Sequence, residues 1–260
     1  MGTTADKLER NRWGHGKVFK PGAEEHTWYR RASHVAGSLS DKTAITQWTV
    51  NNTALGFASS PTLGAKYLRA TSYQDKVDIV DEAQDIAGAN DAANKGTYLH
   101  DLSERHDLAR YELGVVPVEY QGWLQSYAGA IERAGLTVHS SEQLVVVDEL
   151  DLVGSFDRIW KTQDGRLLVG DLKTGKHARR FPHSIAIQIA LYAHGLLYDP
   201  ETHERFELGD VSQTSGLLIH SPLQGETRIY EIDITQAWNW ALETKSIAAW
   251  NKSQLLTDWK

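Results

Sequence analysis

Asp157, Asp171 and Lys173 are the residues through which this chain could do chemistry, because the sequence around them sets two carboxylates and an amine near one point. Val153 to Trp160 and Arg166 to Lys173 are short apolar runs that read as strands. Asp164-Gly165 between them is a strong hairpin signal. On a strand, Asp171 and Lys173 are two positions apart and face the same side. Leu172 faces the other side, into the core, while its backbone carbonyl remains able to turn toward a bound cation. Antiparallel pairing through the turn brings the Asp157 carboxylate within a few ångströms of Asp171.

That arrangement suits a hard divalent cation and a water nucleophile. Mg²⁺ takes oxygen ligands, retains several waters, and is held by one or two carboxylates together with substrate phosphate oxygens. Such an ion lowers the pKa of a bound water and neutralises charge developing on a phosphate. A lysine beside it either holds the water or stabilises the pentavalent state. Taken singly, Asp157 reads as half of a surface ion pair and Asp171-Leu172-Lys173 as the solvated face of an edge strand. Their joint order and spacing carry the reading.

The pattern Gly154-Ser155-Phe156-Asp157, Asp171-Leu172-Lys173-Thr174-Gly175 and, on the next helix, Gln188-Ile189-Ala190-Leu191-Tyr192 resembles the PD-(D/E)XK nuclease superfamily, in particular its RecB-like, CRISPR-associated-type branch and its stand-alone phage versions. The likeness covers roughly residues 96 to 233, and Phe156 stands where the superfamily name has proline. It implies an α/β fold, with a short mixed sheet flanked by helices and an α-helical N-terminal portion. It implies metal-dependent hydrolysis of DNA, as an exonuclease on single-stranded or end-processed DNA in recombination, repair or phage genome processing. An endonuclease on the same fold, or a non-catalytic DNA-binding subunit, are the rival readings.

The resemblance also distributes roles. His100, in Gly96-Thr-Tyr-Leu-His100, matches a helical histidine that binds the metal, Mg²⁺ or Mn²⁺, together with Asp157, Asp171 and the Leu172 carbonyl. Glu104, one turn later, orients the imidazole or is a plain surface acid. Glu142, near the start of a strand expected from Thr137 to Val147, assists the site or is a commonplace strand-end carboxylate. Gln188 and Tyr192 contact the substrate backbone or hold Lys173. Lys176, Arg179 and Arg180 form the densest basic stretch, where a phosphate backbone would run.

Composition bounds the reading. The chain has no cysteine, which excludes the four-cysteine iron–sulfur cluster that many RecB-like nucleases carry, along with disulfides. No long apolar run suggests a membrane span, and no signal-peptide core opens the chain. A cytoplasmic protein, in a bacterium or a phage-infected host, is therefore expected, with DNA and recombination or replication proteins as partners. The formal charge of −7 argues against general coating of DNA, so phosphate binding must be local.

The 260 residues suit one large domain or one domain with a helical extension. Residues 1–26 read as a weakly ordered polar arm and 27–260 as a single nuclease domain. That domain divides into a helical portion (27–95), a catalytic core (96–234) and a C-terminal helix (235–260) rich in tryptophan. Helices are expected over Thr43 to Phe57, Pro61 to Arg69, Tyr73 to Ala87, Ala92 to Leu108, Pro117 to Ala134 and His183 to Leu197. Further strands are expected over Thr214 to His220 and Arg228 to Ile234. His106 reads as a surface residue.

Overall fold

The computed structural model describes residues 7–108 and 116–250, and the chain divides into two compact units, one of residues 1–40 with 104–260 and one of residues 41–103. The C-terminal turns expected over 251–260 lie outside the described residues.

The first unit opens with β1 (Gly16–Phe19) and β2 (His26–Arg31), an antiparallel pair, followed by α1 (Ala32–Ser38). Over its described part, 7–26, this corrects the weakly ordered arm expected for residues 1–26. Leu8 and Val18 are buried with Tyr29 beneath the sheet, and that burial fixes the segment. The polar composition around these two apolar anchors concealed them.

The helical portion starts at residue 41 rather than 27. It contains α2 (Thr43–Ser59), α3 (Pro61–Arg69) and α4 (Tyr73–Ile86), with α5 (Ala89–Asp107) carrying the chain back into the first unit. Asp41 accepts the Thr43 amide at 2.8 Å ahead of α2, and Ser72 with Asp75 forms a reciprocal capping box on α4. Gly56 allows α2 to lie directly on α4, since a Cβ there would stand 1.8 Å from the Ala83 carbonyl oxygen.

Back in the first unit, α6 (Val118–Ala134) ends at Gly135, which takes the left-handed conformation that closes a helix. The expected strands 137–147 and 153–160 are each broken in two. They form β3 (Thr137–Ser141), β4 (Leu144–Val147), β5 (Leu152–Ser155) and β6 (Arg158–Lys161). The pairings Ser141↔Arg158 and Leu144↔Ser155 continue one register, so these four are a single long hairpin bent in the middle. The bend falls at Glu142, which has a positive φ of 48°, and opposite it at Phe156-Asp157. Alternation alone does not reveal such a bend.

β7 (Leu167–Lys173), α7 (Pro182–Ala193), β8 (Leu196–Tyr198), β9 (Arg205–Phe206), β10 (Ser215–His220), β11 (Arg228–Asp233) and α8 (Thr235–Trp250) complete the unit. Two mixed sheets result where one was expected. One has the order β1-β2-β5-β4-β8-β9 and the other β11-β10-β7-β6-β3, so the bent hairpin supplies strands to both. The pairs β2–β5 and β7–β10 are parallel. The helix expected to run through Leu197 ends at Ala193, because Gly195 packs against the Val145 side chain and the Val146 carbonyl, and the chain turns there into β8.

α7 is the centre of the packing. Ile185, Ile187, Ile189 and Leu191 are buried on all sides of it, as an enclosed helix requires. α1, α8 and strands of both sheets surround it. Each large apolar side chain there contributes about 1.5–3 kcal/mol by leaving water. Tryptophans of α8 divide: Trp238 packs on this core, while Trp240 and Trp250 are exposed.

The turn between β4 and β5 is held by Asp148, which receives both Arg205 Nε (2.8 Å) and Nη2 (2.9 Å) and the Tyr29 hydroxyl (2.6 Å). Burial opposes its charge, but Arg205 and Tyr29 outweigh burial and hold its pKa below the usual carboxylate value. A depressed acid stabilises the fold above its unfolded pKa of about 3.9 and loses that contribution as pH falls further. Asp148→Asn is expected to lower stability by about 1–3 kcal/mol at pH 7, with the difference from wild type shrinking below pH 4. Urea unfolding at the two pH values measures it.

Candidate active site

The bend in the hairpin is what positions Asp157. β6 and β7 pair as Arg158↔Gly170, so the next position of that register sets Asp157 opposite Asp171. Oδ2 of Asp157 accepts the Leu172 backbone amide at 2.7 Å, which ties one carboxylate to the strand that carries the other. Gly165, at φ +87°, supplies the expected turn. Asp171 is buried, and Lys173 Nζ lies 2.9 Å from its Oδ1 and 2.7 Å from its Oδ2. Leu172 is buried between them. Burial disfavours the ammonium, but Asp171 and then Asp157 outweigh it and hold the Lys173 pKa above the ordinary lysine value. Lys173 is therefore a cation at neutral pH.

α7 brings its two residues to the same place. Gln188 Oε1 stands 3.5 Å from Lys173 Nζ, and Gln188 Nε2 stands 3.5 Å from the Tyr192 hydroxyl. Burial, followed by the fields of Asp171 and Asp157, raises the Tyr192 pKa, so its phenol stays protonated. Gly154 gives that ring its space: a Cβ there would stand 2.9 Å from both Cε1 and the hydroxyl oxygen of Tyr192. Gly154→Ala is expected to cost about 1–3 kcal/mol through overpacking and to displace the Tyr192 ring. Thermal unfolding reads the first effect and tyrosine fluorescence of the folded state the second.

A buried polar network behind Asp157 was not foreseen from the sequence. Arg158 is 2% exposed; its Nη1 donates to the Asp157 carbonyl at 2.9 Å and its Nε to Asp107 Oδ2 at 3.0 Å. The Tyr127 hydroxyl donates to the same Asp107 oxygen at 2.7 Å. The Glu142 amide also reaches the Asp157 carbonyl, at 3.2 Å, and Glu142 Oε1 lies 3.7 Å from Arg158 Nη1. Glu142 thus sits in the bend between β3 and β4, not in a continuous strand. His106, read as a surface residue, is half-buried with Nδ1 3.2 Å from Asp107. The available signal was Arg158 itself, a cation opening the apolar run Arg158-Ile159-Trp160 that must find a buried partner.

Lys176, Arg179 and Arg180 lie in the loop and short 3-10 turn between β7 and α7, directly past Lys173. His100 and Glu104 stand one turn apart on α5, with His100 in the 41–103 unit and the Ser103 hydroxyl donating to its carbonyl at 2.7 Å. Among the described residues no three His, Asp or Glu side chains form a ready metal cage. The oxygen donors of Asp157 and Asp171 nonetheless fit a hard divalent ion, which needs few protein ligands when phosphate oxygens and waters complete its shell.

Two mixed sheets joined by a bent hairpin, with helices on the flanks, make a mixed α/β fold that carries two aspartates and a lysine beside the bend. The model of the PD-(D/E)XK nuclease superfamily matches residues 78–231, more than half of the chain, and the protein belongs to that superfamily. No curated protein gives a significant match. Members are nucleases that act on DNA with divalent metal ions. With no cysteine in the chain, a cysteine-ligated iron–sulfur cluster has no ligands here. Among the described residues no helix is long and apolar enough to cross a membrane.

Proposed function

We propose that this nuclease is an Mg²⁺- or Mn²⁺-dependent exonuclease that degrades single-stranded or end-processed DNA in recombination, repair or phage DNA processing. The observation that carries the reading is the Asp157 carboxylate bonded to the strand of Asp171, with Lys173 bonded to Asp171. The RecB-like pattern from His100 to Tyr192 supports the exonuclease branch.

In this reading Asp157 and Asp171 hold the metal, with His100 and the Leu172 carbonyl as further ligands. When bound, the ion supplies a more acidic water and polarises the phosphate. Lys173 is cationic, so it donates: it orients the attacking water or stabilises a non-bridging phosphate oxygen, and it does not abstract a proton. Gln188 holds the Lys173 ammonium together with Asp171, and Tyr192, kept protonated, fixes Gln188. Lys176, Arg179 and Arg180 take phosphates of the strand. Arg158 and Glu142 hold the backbone of Asp157, so Glu142 acts on the site without meeting the metal. Glu104 orients His100 from one turn away on the same helix.

Lys173→Ala is expected to lower turnover about 10²–10³-fold while DNA and Mn²⁺ binding persist; loss of DNA binding instead would make Lys173 a phosphate anchor. For the exonuclease assignment, a closed circular single strand is digested beside its linear form in Mg²⁺ and in Mn²⁺. Degradation of the linear strand with the circle spared is expected, and the position of an end label gives polarity. A cut circle would make the protein an endonuclease.

A further inference from the structure

A cavity of about 650 Å³ opens at the carboxyl ends of the parallel strands β7 and β10. Its lining carries four permanent cations, Lys176, Arg179, Arg180 and Arg228, against one carboxylate, Glu226. In a chain of net charge −7 that concentration is a local reversal of sign. The four cations come from two separate segments, the loop after β7 and the start of β11, so the fold assembles them.

The floor is built rather than incidental. His220 is 6% exposed, and its Nε2 lies 3.0 Å from the Gly175 carbonyl, which pins the loop carrying the first three cations. The Ser221 amide donates to the Lys173 carbonyl at 2.9 Å, and His220 stands in register with Lys173. The wall joins the two segments: Arg179 and Arg228 line the same cavity, and the fields of Arg179 and then Arg228 hold the Tyr230 pKa below the ordinary phenol value. Glu226 offsets them weakly, since its carboxylate is 3.8 Å from Arg228 and both side chains are largely in solvent.

We propose that this cavity is a phosphate-binding subsite that grips the DNA strand a few nucleotides from the bond being cut, with Arg228 and Arg179 as its principal contacts. The proposal rests on the nuclease reading and deepens it: Arg228, 55 positions after Lys173 in sequence, joins the substrate interface. Lys176 follows Asp171 by five positions, at most about 17 Å of extended chain, so a strand seated at Asp171 is within reach of the cavity. Guanidinium forks and a point-charge lysine are the groups that take phosphate oxygens. Contacts to phosphate carry no sequence information, so a grip of this kind is independent of sequence.

The phosphate is either an internal diester or a terminal monoester, and one experiment separates the two. Anisotropy of a dye-labelled 12-residue single strand bearing a 5′-phosphate, a 3′-phosphate or neither is followed against the full chain in EDTA, across salt concentrations. Arg228→Ala is expected to weaken binding several-fold and reduce the salt slope by about 0.7; Arg179→Ala with Arg228→Ala should reduce it by about 1.4. Equal loss on all three strands identifies an internal diester, and loss confined to a phosphorylated strand identifies its terminal group. Affinity and slope equal to wild type in both variants, or no binding by wild type, would overturn the proposal. Hydrolysis of the same strands by wild type in Mg²⁺ and Mn²⁺ is read in parallel. Its absence with altered slopes retained would reject the nuclease reading and leave the subsite standing.

Discussion

Asp171→Asn is expected to lower metal-dependent DNA hydrolysis by about 10³-fold or more while leaving the fold intact. Asn keeps the shape of the side chain and one oxygen but removes the charge that would attract a divalent ion, and metal polarisation of the phosphate supplies several kcal/mol of transition-state stabilisation. At about 1.4 kcal/mol per tenfold, that is three or more decades in rate. The second consequence falls on Lys173. Its ammonium donates to Oδ1 of Asp171 and stands 2.7 Å from Oδ2, and Asp171 is the foremost of the charges that raise its pKa. Without that charge the ammonium turns more fully toward Gln188 and Asp157, so its orientation toward the phosphate is lost as well. The two losses act on one transition state and do not add with those of Lys173→Ala. Turnover of an end-labelled strand in saturating Mg²⁺, beside a melting curve for the fold, measures both parts.

Arg158→Ala is expected to destabilise the protein by about 3–5 kcal/mol, a large share of a typical folding free energy. The Asp107 side chain is 1% exposed and receives Arg158 Nε and the Tyr127 hydroxyl; removing the guanidinium takes the permanent cation from a buried carboxylate and leaves it the Tyr127 hydroxyl and the His106 ring. The Asp157 carbonyl simultaneously loses the Arg158 donor and keeps the Glu142 amide. The backbone that aims the Asp157 carboxylate is thereby loosened, so residual folded protein should also turn over more slowly. Arg158→Ala combined with Asp107→Asn separates the terms. The double variant is expected to recover a large part of the stability, because no unpaired charge remains, without recovering turnover, because the Asp157 carbonyl still lacks Arg158. Urea unfolding and single-turnover cleavage of the three variants test this. Equal stability of Arg158→Ala and wild type would contradict the network.

The central cluster was legible in the sequence because its parts are local. Asp157, the Asp164-Gly165 turn, Asp171 and Lys173 fall within one hairpin, whose register follows from strand period and turn chemistry. Gln188 and Tyr192 followed from helical spacing on the family pattern, and the structure sets Gln188 3.5 Å from Lys173 and Tyr192 3.5 Å from Gln188. What escaped was non-local. The bend that moves the hairpin from one sheet to the other depends on Glu142 adopting positive φ and on the burial of Phe156, neither of which alters the alternation of side chains. Asp107 meets Arg158 across 51 positions, and Arg228 lines one cavity with Arg179 across 49, separations that no motif spans. The segment 7–19 was misread because two buried residues, Leu8 and Val18, order an otherwise polar stretch.

The measurement that bears most directly on the account is cleavage of end-labelled single- and double-stranded DNA by wild type and Asp171→Asn, each in Mg²⁺, Mn²⁺ and EDTA. Wild type should degrade the strands only with metal, and Asp171→Asn should be inactive under all conditions while remaining folded. Cleavage by wild type in EDTA, or undiminished cleavage by folded Asp171→Asn, would contradict the assignment of hydrolysis to the Asp157–Asp171–Lys173 cluster.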